Sequence, residues 1–178
     1  GIMSKAMEIV EITPELLETI LLTFHTDSER ELARKIVALF LEHGLSVKVK
    51  QYHQACMKGT YRILCFVKKS AEAVIINNKG MGREGVSFQV RLDDRSVFEN
   101  LDNLSDNLKN QIIAAADCGY CSTKCDKKKY IFTYQGQEYV KCHFLCNNFM
   151  FQNLDRDGIS DLLETIDNEI RLKCRPEK

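Results

Sequence analysis

The residues most able to do chemistry are crowded into one stretch of the chain. Five of the eight cysteines and one of the four histidines fall within residues 117–146, in two groups: Cys118-x2-Cys121-x3-Cys125 and, sixteen residues later, Cys142-His143-x2-Cys146. Thiolates are soft ligands that suit zinc, copper(I) and iron–sulfur clusters. Two closely spaced pairs of ligands that a hairpin brings together are a common way to build a tetrahedral zinc site. The spacing therefore predicts a metal site.

The predicted metal ligands are Cys118, Cys121, Cys142 and Cys146, with Cys125 and His143 as substitutes. Six donors are present for four positions, and the second pair is spaced C-x3-C rather than C-x2-C. Spacing alone therefore leaves the ligand set open. Four protein ligands would make the zinc structural, because a catalytic zinc keeps one position for water or substrate.

Three other interpretations of the same cysteines stay open. An iron–sulfur cluster would use the first group and one later ligand, although the spacing differs from the ferredoxin run. Cys118-Gly-Tyr-Cys121 is also a C-x-x-C, and the lysines at 124 and 127–129 would favour thiolate and reversible disulfide chemistry. Finally, the cysteines could simply be small buried hydrophobes. No catalytic constellation is recognisable, so the sequence leaves open whether the protein is an enzyme.

Two further patterns have plainer explanations. Asn153–Glu164 is similar to a twelve-residue calcium loop, but no helix enters it, so we expect an acidic turn that caps the last helix. The lysines at 124 and 127–129 are interleaved with Tyr130, Phe132 and Tyr134, as on a nucleic-acid-binding face. Alternation along a hairpin produces the same pattern.

The elements that position the cysteines follow from periodicity. Thr13-Pro14-Glu15 predicts one helix start, and Ser28 with Glu31 predicts a capping box for a second. Alternating segments from Leu45 onward predict strands, and a hairpin around Gln135-Gly136 separates the cysteine groups. The predicted fold class is α+β: N-terminal helices, a mostly antiparallel sheet, a cysteine-bearing β-hairpin and a closing helix. The predicted domains are residues 3–116 and the cysteine-rich module 117–174, with a weak boundary near Ala116.

Composition limits the function classes. The formal net charge is zero, which argues against a dedicated nucleic-acid binder and against an anionic membrane surface. No apolar run is long enough to span a membrane, and the start lacks a signal-peptide pattern. We therefore expect a cytoplasmic protein that binds another protein or a small molecule. In that reducing compartment, clustered cysteines favour metal or redox roles over disulfides.

The last 75 or so residues resemble a group of small, uncharacterised bacterial proteins with a cysteine-rich C-terminal module. The resemblance rests on Leu104–Ile112, Cys118–Cys125, Tyr139–Cys146 and Asn153–Ile170. It implies that the cysteines belong to one module, and it implies no activity. The expected function is therefore a binding or regulatory protein with a structural zinc site, with an iron–sulfur or thiol redox protein as the alternative.

Overall fold

The computed structural model describes residues 6–79, 84–115, 129–142 and 148–174. The chain divides into two compact units, residues 1–89 and 90–178. The boundary expected near Ala116 falls inside the second unit, at a residue outside the described ranges.

The first unit begins with a strand and two helices and continues as a series of strands. The elements are β1 (Met7–Glu11), α1 (Pro14–Leu21), α2 (Asp27–Glu42), β2 (Val47–Tyr52), β3 (Tyr61–Lys68), β4 (Ala71–Asn77) and β5 (Ser87–Arg91), which crosses the boundary between the units. A short 3-10 turn, Ala55–Met57, precedes β3. Strands β1 to β4 pair with their sequence neighbours in antiparallel register.

Capping side chains fix the two N-terminal helices. Thr13 caps α1, accepting a hydrogen bond from the Leu16 N–H, and Pro14 follows at the first helical position, as predicted. Helix α2 opens at a capping box between Thr26 and Glu29, two residues earlier than predicted.

One face of the strands packs against the helices. Register pairs Val47 with Cys65, Val49 with Ile63 and Ile63 with Ile76, so their side chains share a face. All of them are buried, and α2 contacts both β2 and β3. The apolar stripe of α2 supplies Leu32, Ala33, Ile36, Val37 and Phe40 to this core.

In its described residues, the second unit has three helices, a separate hairpin and a short strand. Its elements are α3 (Ser96–Glu99), a 3-10 turn (Leu101–Asn103), α4 (Asp106–Ile113), β6 (Lys129–Tyr134), β7 (Gln137–Cys142), β8 (Asn148–Phe151) and α5 (Arg156–Lys173). Its buried apolar residues include Phe98, Leu108, Phe132, Phe149 and Ile166. Helix α4 contacts both α5 and β8.

The fold class is α+β, as the sequence predicted. Six strands are hydrogen-bonded in the order β1-β2-β3-β4-β5-β8, and β6 and β7 form a two-stranded sheet of their own. The predicted hairpin turn is present at Gln135-Gly136, where φ is 50° and 78°. Two successive residues with positive φ match the twist of a tight hairpin, and glycine adopts that conformation without a side-chain clash.

Candidate metal centre

Most of the predicted ligands lie outside the described residues. This holds for Cys118, Cys121, Cys125, His143 and Cys146. The backbone of Cys142 is described, and it ends β7 opposite Lys129. Across residues 6–79, 84–115, 129–142 and 148–174, no group of three or more His, Cys, Asp or Glu side chains is placed to hold a metal ion.

The hairpin brings two of the cysteine-bearing connections to one place. Residues 129 and 142 are paired at its open end, and the turn lies at the other end. The segment with Cys125 joins the hairpin at residue 129, and the segment with Cys146 leaves it after residue 142. Because β6 and β7 are neighbouring strands, these two attachment points are about 5 Å apart.

A buried lysine ties the third connection to the same hairpin. Lys141 is only 8% exposed, and its ammonium group donates to the carbonyl of Ile113, at 2.9 Å, and to that of Ala115. The last carbonyls of a helix lack partners within the helix, and a lysine side chain is a common donor to them. Lys141 thereby joins the C-terminal end of α4 to β7. Ala115 lies three residues before Cys118.

Helix α4 also holds the strand that follows the second cysteine group. The Gln111 side-chain amide donates to the Gln152 carbonyl at 2.8 Å, and its oxygen accepts from the Gln152 N–H at 2.9 Å. This two-way bond uses a backbone donor and acceptor just beyond β8. Helix α4 is therefore bonded to chain segments on both sides of the second cysteine group.

Aromatic packing positions the hairpin within the second unit. The Phe98 ring lies 5.1 Å from that of Phe132 and 5.7 Å from that of Phe149, and Phe132 stacks on Tyr139 at 5.4 Å. Ring pairs at such distances contribute about 0.5–1.5 kcal/mol beyond their burial. The cluster holds the inner face of the hairpin against α3.

Contacts within the second unit also involve two aromatic residues of the nucleic-acid-binding pattern that the sequence suggested. Phe132 is 7% exposed, and the Tyr134 hydroxyl donates to the Asp102 carboxylate at 2.8 Å. The other members of the pattern, the lysines at 124 and 127–129 and Tyr130, have no described side chains.

The acidic turn before the last helix is a cap, as expected. Asp155 is the N-cap of α5, and its carboxylate accepts the Gly158 N–H at 2.7 Å. Asp157 and Glu164 lie within the helix rather than around a loop. The strand β8, not a helix, precedes the turn.

The remaining cysteines are dispersed. Cys65 is fully buried, and burial raises the pKa of its thiol, which keeps it protonated. Cys56 and Cys174 are exposed and unpaired.

Sequence reasoning missed Lys141 as the residue that anchors the hairpin. One signal was available, because period-two alternation places Lys141 on the same face as Tyr139, and a lysine on an inward face needs a partner. The carbonyls that it meets are 26 and 28 residues away, and no local pattern identifies them.

No protein-family model, curated protein or solved structure matches this chain. Within the described part of the chain, every helix is too short or too polar to cross a bilayer.

Proposed function

We propose that the protein is a cytoplasmic binding or regulatory protein whose C-terminal module is held by a structural zinc ion. The ligands are Cys118, Cys121, Cys142 and Cys146, with Cys125 or His143 able to substitute. The zinc supplies cross-linking of the chain rather than chemistry, because four thiolates saturate its coordination.

The bond from Lys141 to the end of α4 is the observation that carries this proposal. The Lys141 ammonium donates to the Ala115 carbonyl, and Lys141 is the residue directly before Cys142. An extended chain spans at most about 3.3–3.6 Å per residue, so the three residues that follow Ala115 can span no more than about 11 Å. The segment that carries the first cysteine group therefore starts close to the strand that ends at Cys142, although 16 residues separate the two groups.

A zinc cross-link would also stabilise the second unit. An isolated two-stranded hairpin is marginally stable in water, and the β6–β7 hairpin forms no larger sheet among the described strands. Structural zinc contributes on the order of 10 kcal/mol to the folding of small modules.

The exposed free thiols of Cys56 and Cys174 are compatible with a reducing compartment, which supports the cytoplasmic location.

Metal analysis of the purified full chain tests the proposal. We expect a colourless protein with one zinc per chain. A brown protein with iron and sulfide would assign the cysteines to a cluster. A metal-free protein whose thiol reactivity changes reversibly with oxidant would assign them to redox chemistry.

Serine substitutions then test the ligand set. Cys121→Ser and Cys142→Ser should each lower the zinc content well below one per chain, since a hydroxyl is a poor substitute for thiolate. Cys56→Ser and Cys174→Ser are matched controls at exposed sites and should retain the metal. Full zinc retention by both Cys121→Ser and Cys142→Ser would reject this ligand set.

A further inference from the structure

The outer edge of strand β1 lies on the first unit. Among the described strands, β1 comes first in the sheet order, so it has a neighbouring strand, β2, on one side only. An edge strand presents a row of backbone N–H and C=O groups that can pair with another strand. Proteins use such edges to bind an extended segment of a partner.

The register shows which backbone groups of β1 point outward. The Ile12 N–H, just beyond the end of β1, donates to the Val47 carbonyl at 3.1 Å. Hydrogen-bonded and non-hydrogen-bonded pairs alternate along an antiparallel ladder. The even-numbered residues of β1 therefore bond to β2, and the N–H and C=O groups of Met7, Ile9 and Glu11 point away from it.

The side chains of β1 leave this edge accessible. Met7 is 38% exposed and Ile9 is 51% exposed. Many edge strands are protected by proline, by lysine or by a bulge. The sequence of β1, MEIVE, contains neither proline nor lysine, and its five residues pair with β2 in continuous register. Exposed apolar side chains next to outward-pointing backbone groups are the features of a strand-addition site.

Two glutamates determine the charge of the segment that fits this edge. The Glu11 carboxylate lies 3.9 Å from the Lys48 ammonium, and the Glu8 carboxylate lies 3.4 Å from the His53 imidazole. Even with these neighbours, the side chains of Glu8 and Glu11 are 50% and 69% exposed. An added strand would place a residue directly opposite each glutamate, where a base stabilises the pairing and an acid destabilises it.

A second copy of β1 fits the edge poorly for the same reason. In an antiparallel pair of two outer edges, centring on residue 8 or 11 places two glutamates directly opposite each other. Centring on residue 9 or 10 instead makes Glu8 or Glu11 a diagonal neighbour of its own copy. Because like charges at such positions disfavour pairing, the edge suits a basic segment of a different protein.

We propose that the outer edge of β1 binds an extended basic segment of a partner protein by antiparallel strand addition. The partner residues opposite Met7, Ile9 and Val10 are apolar, and those opposite Glu8 and Glu11 are lysine or arginine. Backbone hydrogen bonds to the outward groups of β1 provide affinity, and the side-chain pairs provide specificity. The proposal does not depend on the metal centre, which belongs to the other unit.

Fluorescence anisotropy of the full chain with a labelled peptide tests the proposal. The probe contains Lys-Val-Val-Lys-Val between Gly-Ser flanks, so that its lysines lie opposite Glu11 and Glu8 when it runs antiparallel to β1. We expect binding at low salt that weakens as the salt concentration rises. The same peptide with glutamate in place of both lysines should bind about tenfold more weakly or worse.

N-methylated peptides separate backbone pairing from charge attraction. A methyl group on the central valine nitrogen removes the N–H that bonds to Ile9, and it should weaken binding about fivefold. A methyl group on the preceding valine is the matched control. The N–H of that residue points away from β1, so the affinity should change by less than about twofold. Both peptides leave the protein itself unchanged.

Charge reversal on the protein gives the reciprocal test. The double variant Glu8→Lys with Glu11→Lys should prefer the glutamate peptide over the lysine peptide, which reverses the order for wild type. Glu31→Lys, at a matched exposed acid on α2, should keep the wild-type order. Thermal melting confirms that each variant is folded.

Three results would overturn the proposal. The first is the absence of binding of the lysine peptide at low salt. The second is binding that methylation of the central valine leaves unchanged, which would assign it to charge attraction alone. The third is self-association of the wild-type chain in sedimentation velocity that the lysine peptide competes away, which would assign the edge to a second copy.

Discussion

Glu169 is the clearest case of a single residue whose surroundings decide its chemistry. Its carboxylate is 2% exposed, and one oxygen accepts the N–H groups of Asp93 and Asp94 at 2.9 and 2.8 Å. The other oxygen lies 3.2 Å from the Lys173 ammonium. A buried carboxylate needs such partners, because an unpaired charge in the interior is costly. Glu169 thereby ties α5 to the turn that follows β5.

The stability of the protein should depend on the ionisation of Glu169. Burial raises the pKa of this carboxyl above its ordinary 4.5, although the Asp94 N–H and Lys173 oppose the shift. Ionisation therefore costs the folded state more than the unfolded state. The stabilising contribution is complete below about pH 4.5 and is lost as the pH rises through the higher folded value. Glu169→Gln keeps a hydrogen-bond acceptor and does not ionise.

We therefore expect the variant Glu169→Gln to gain stability relative to wild type as the pH rises from about 4 to about 7. The quantity that increases is the free energy of unfolding of the variant minus that of wild type. Urea unfolding at a series of pH values measures this difference. Glu169→Leu, which also removes the acceptor, should be less stable than wild type throughout. Parallel curves for wild type and Glu169→Gln would contradict the prediction.

The start of α2 shows how a correct pattern can be assigned to the wrong residues. The sequence contains two overlapping candidates for a capping box, Thr26 with Glu29 and Ser28 with Glu31. We predicted the second, and the structure forms the first. There, the Thr26 hydroxyl accepts the Glu29 N–H at 3.1 Å and the Glu29 carboxylate accepts the Thr26 N–H at 2.9 Å. The earlier start also lets Asp27 pair with Arg30 at 2.7 Å within the first turn.

A pair of alanine substitutions distinguishes the two caps. Thr26→Ala should lower the free energy of unfolding by about 1 kcal/mol, because it leaves the Glu29 N–H without its intramolecular acceptor. Ser28→Ala should change it by less than about 0.5 kcal/mol, since this residue lies inside the helix and alanine favours helix there. Chemical denaturation measures both values. A larger loss for Ser28→Ala would mean that the helix begins two residues later.

Most elements could be predicted from the sequence because each has a strong local signal. Helix α1 has its capping threonine and proline, the β6–β7 hairpin has its turn residues, and the buried face of α5 repeats at helical spacing. Strand β1 was missed, since only Val10 of its five residues is even half-buried and no alternation marks its faces. Ser105 occupies the N-cap position of α4, but its side chain makes no capping bond there, and the Asp161 carboxylate accepts the Ser105 N–H instead.

At the scale of the whole molecule, neither the net charge nor the residue spacing shows which parts of the chain become neighbours in the fold. The net charge of zero argued against a nucleic-acid binder and against an anionic membrane surface, yet acids collect on α1 and α2 while cations collect on β2 and β3. The spacing of the cysteines predicted a metal site, whereas the bond that joins the end of α4 to β7 comes from Lys141, which no cysteine pattern indicates. Both features depend on which strands are neighbours, and that information is contained in the topology rather than in any segment.

If zinc is bound as proposed, its removal should affect the two units differently. The first unit has a core of its own between the helices and strands β2 to β4. If zinc holds the cysteine segments together, a zinc chelator should increase amide hydrogen exchange in β6 and β7, because a two-stranded sheet without its cross-link opens readily. Amides of β2 to β4 should keep their protection.

Hydrogen exchange followed by mass spectrometry, with and without chelator, measures both regions in one sample. Cys121→Ser is the matched control: its β6–β7 amides should already exchange fast, and the chelator should accelerate them no further. Equal acceleration in both units, or protection in β6 and β7 that survives complete loss of zinc, would show that the hairpin is stable through its aromatic contacts and Lys141 alone. The metal would then have no structural role in this module.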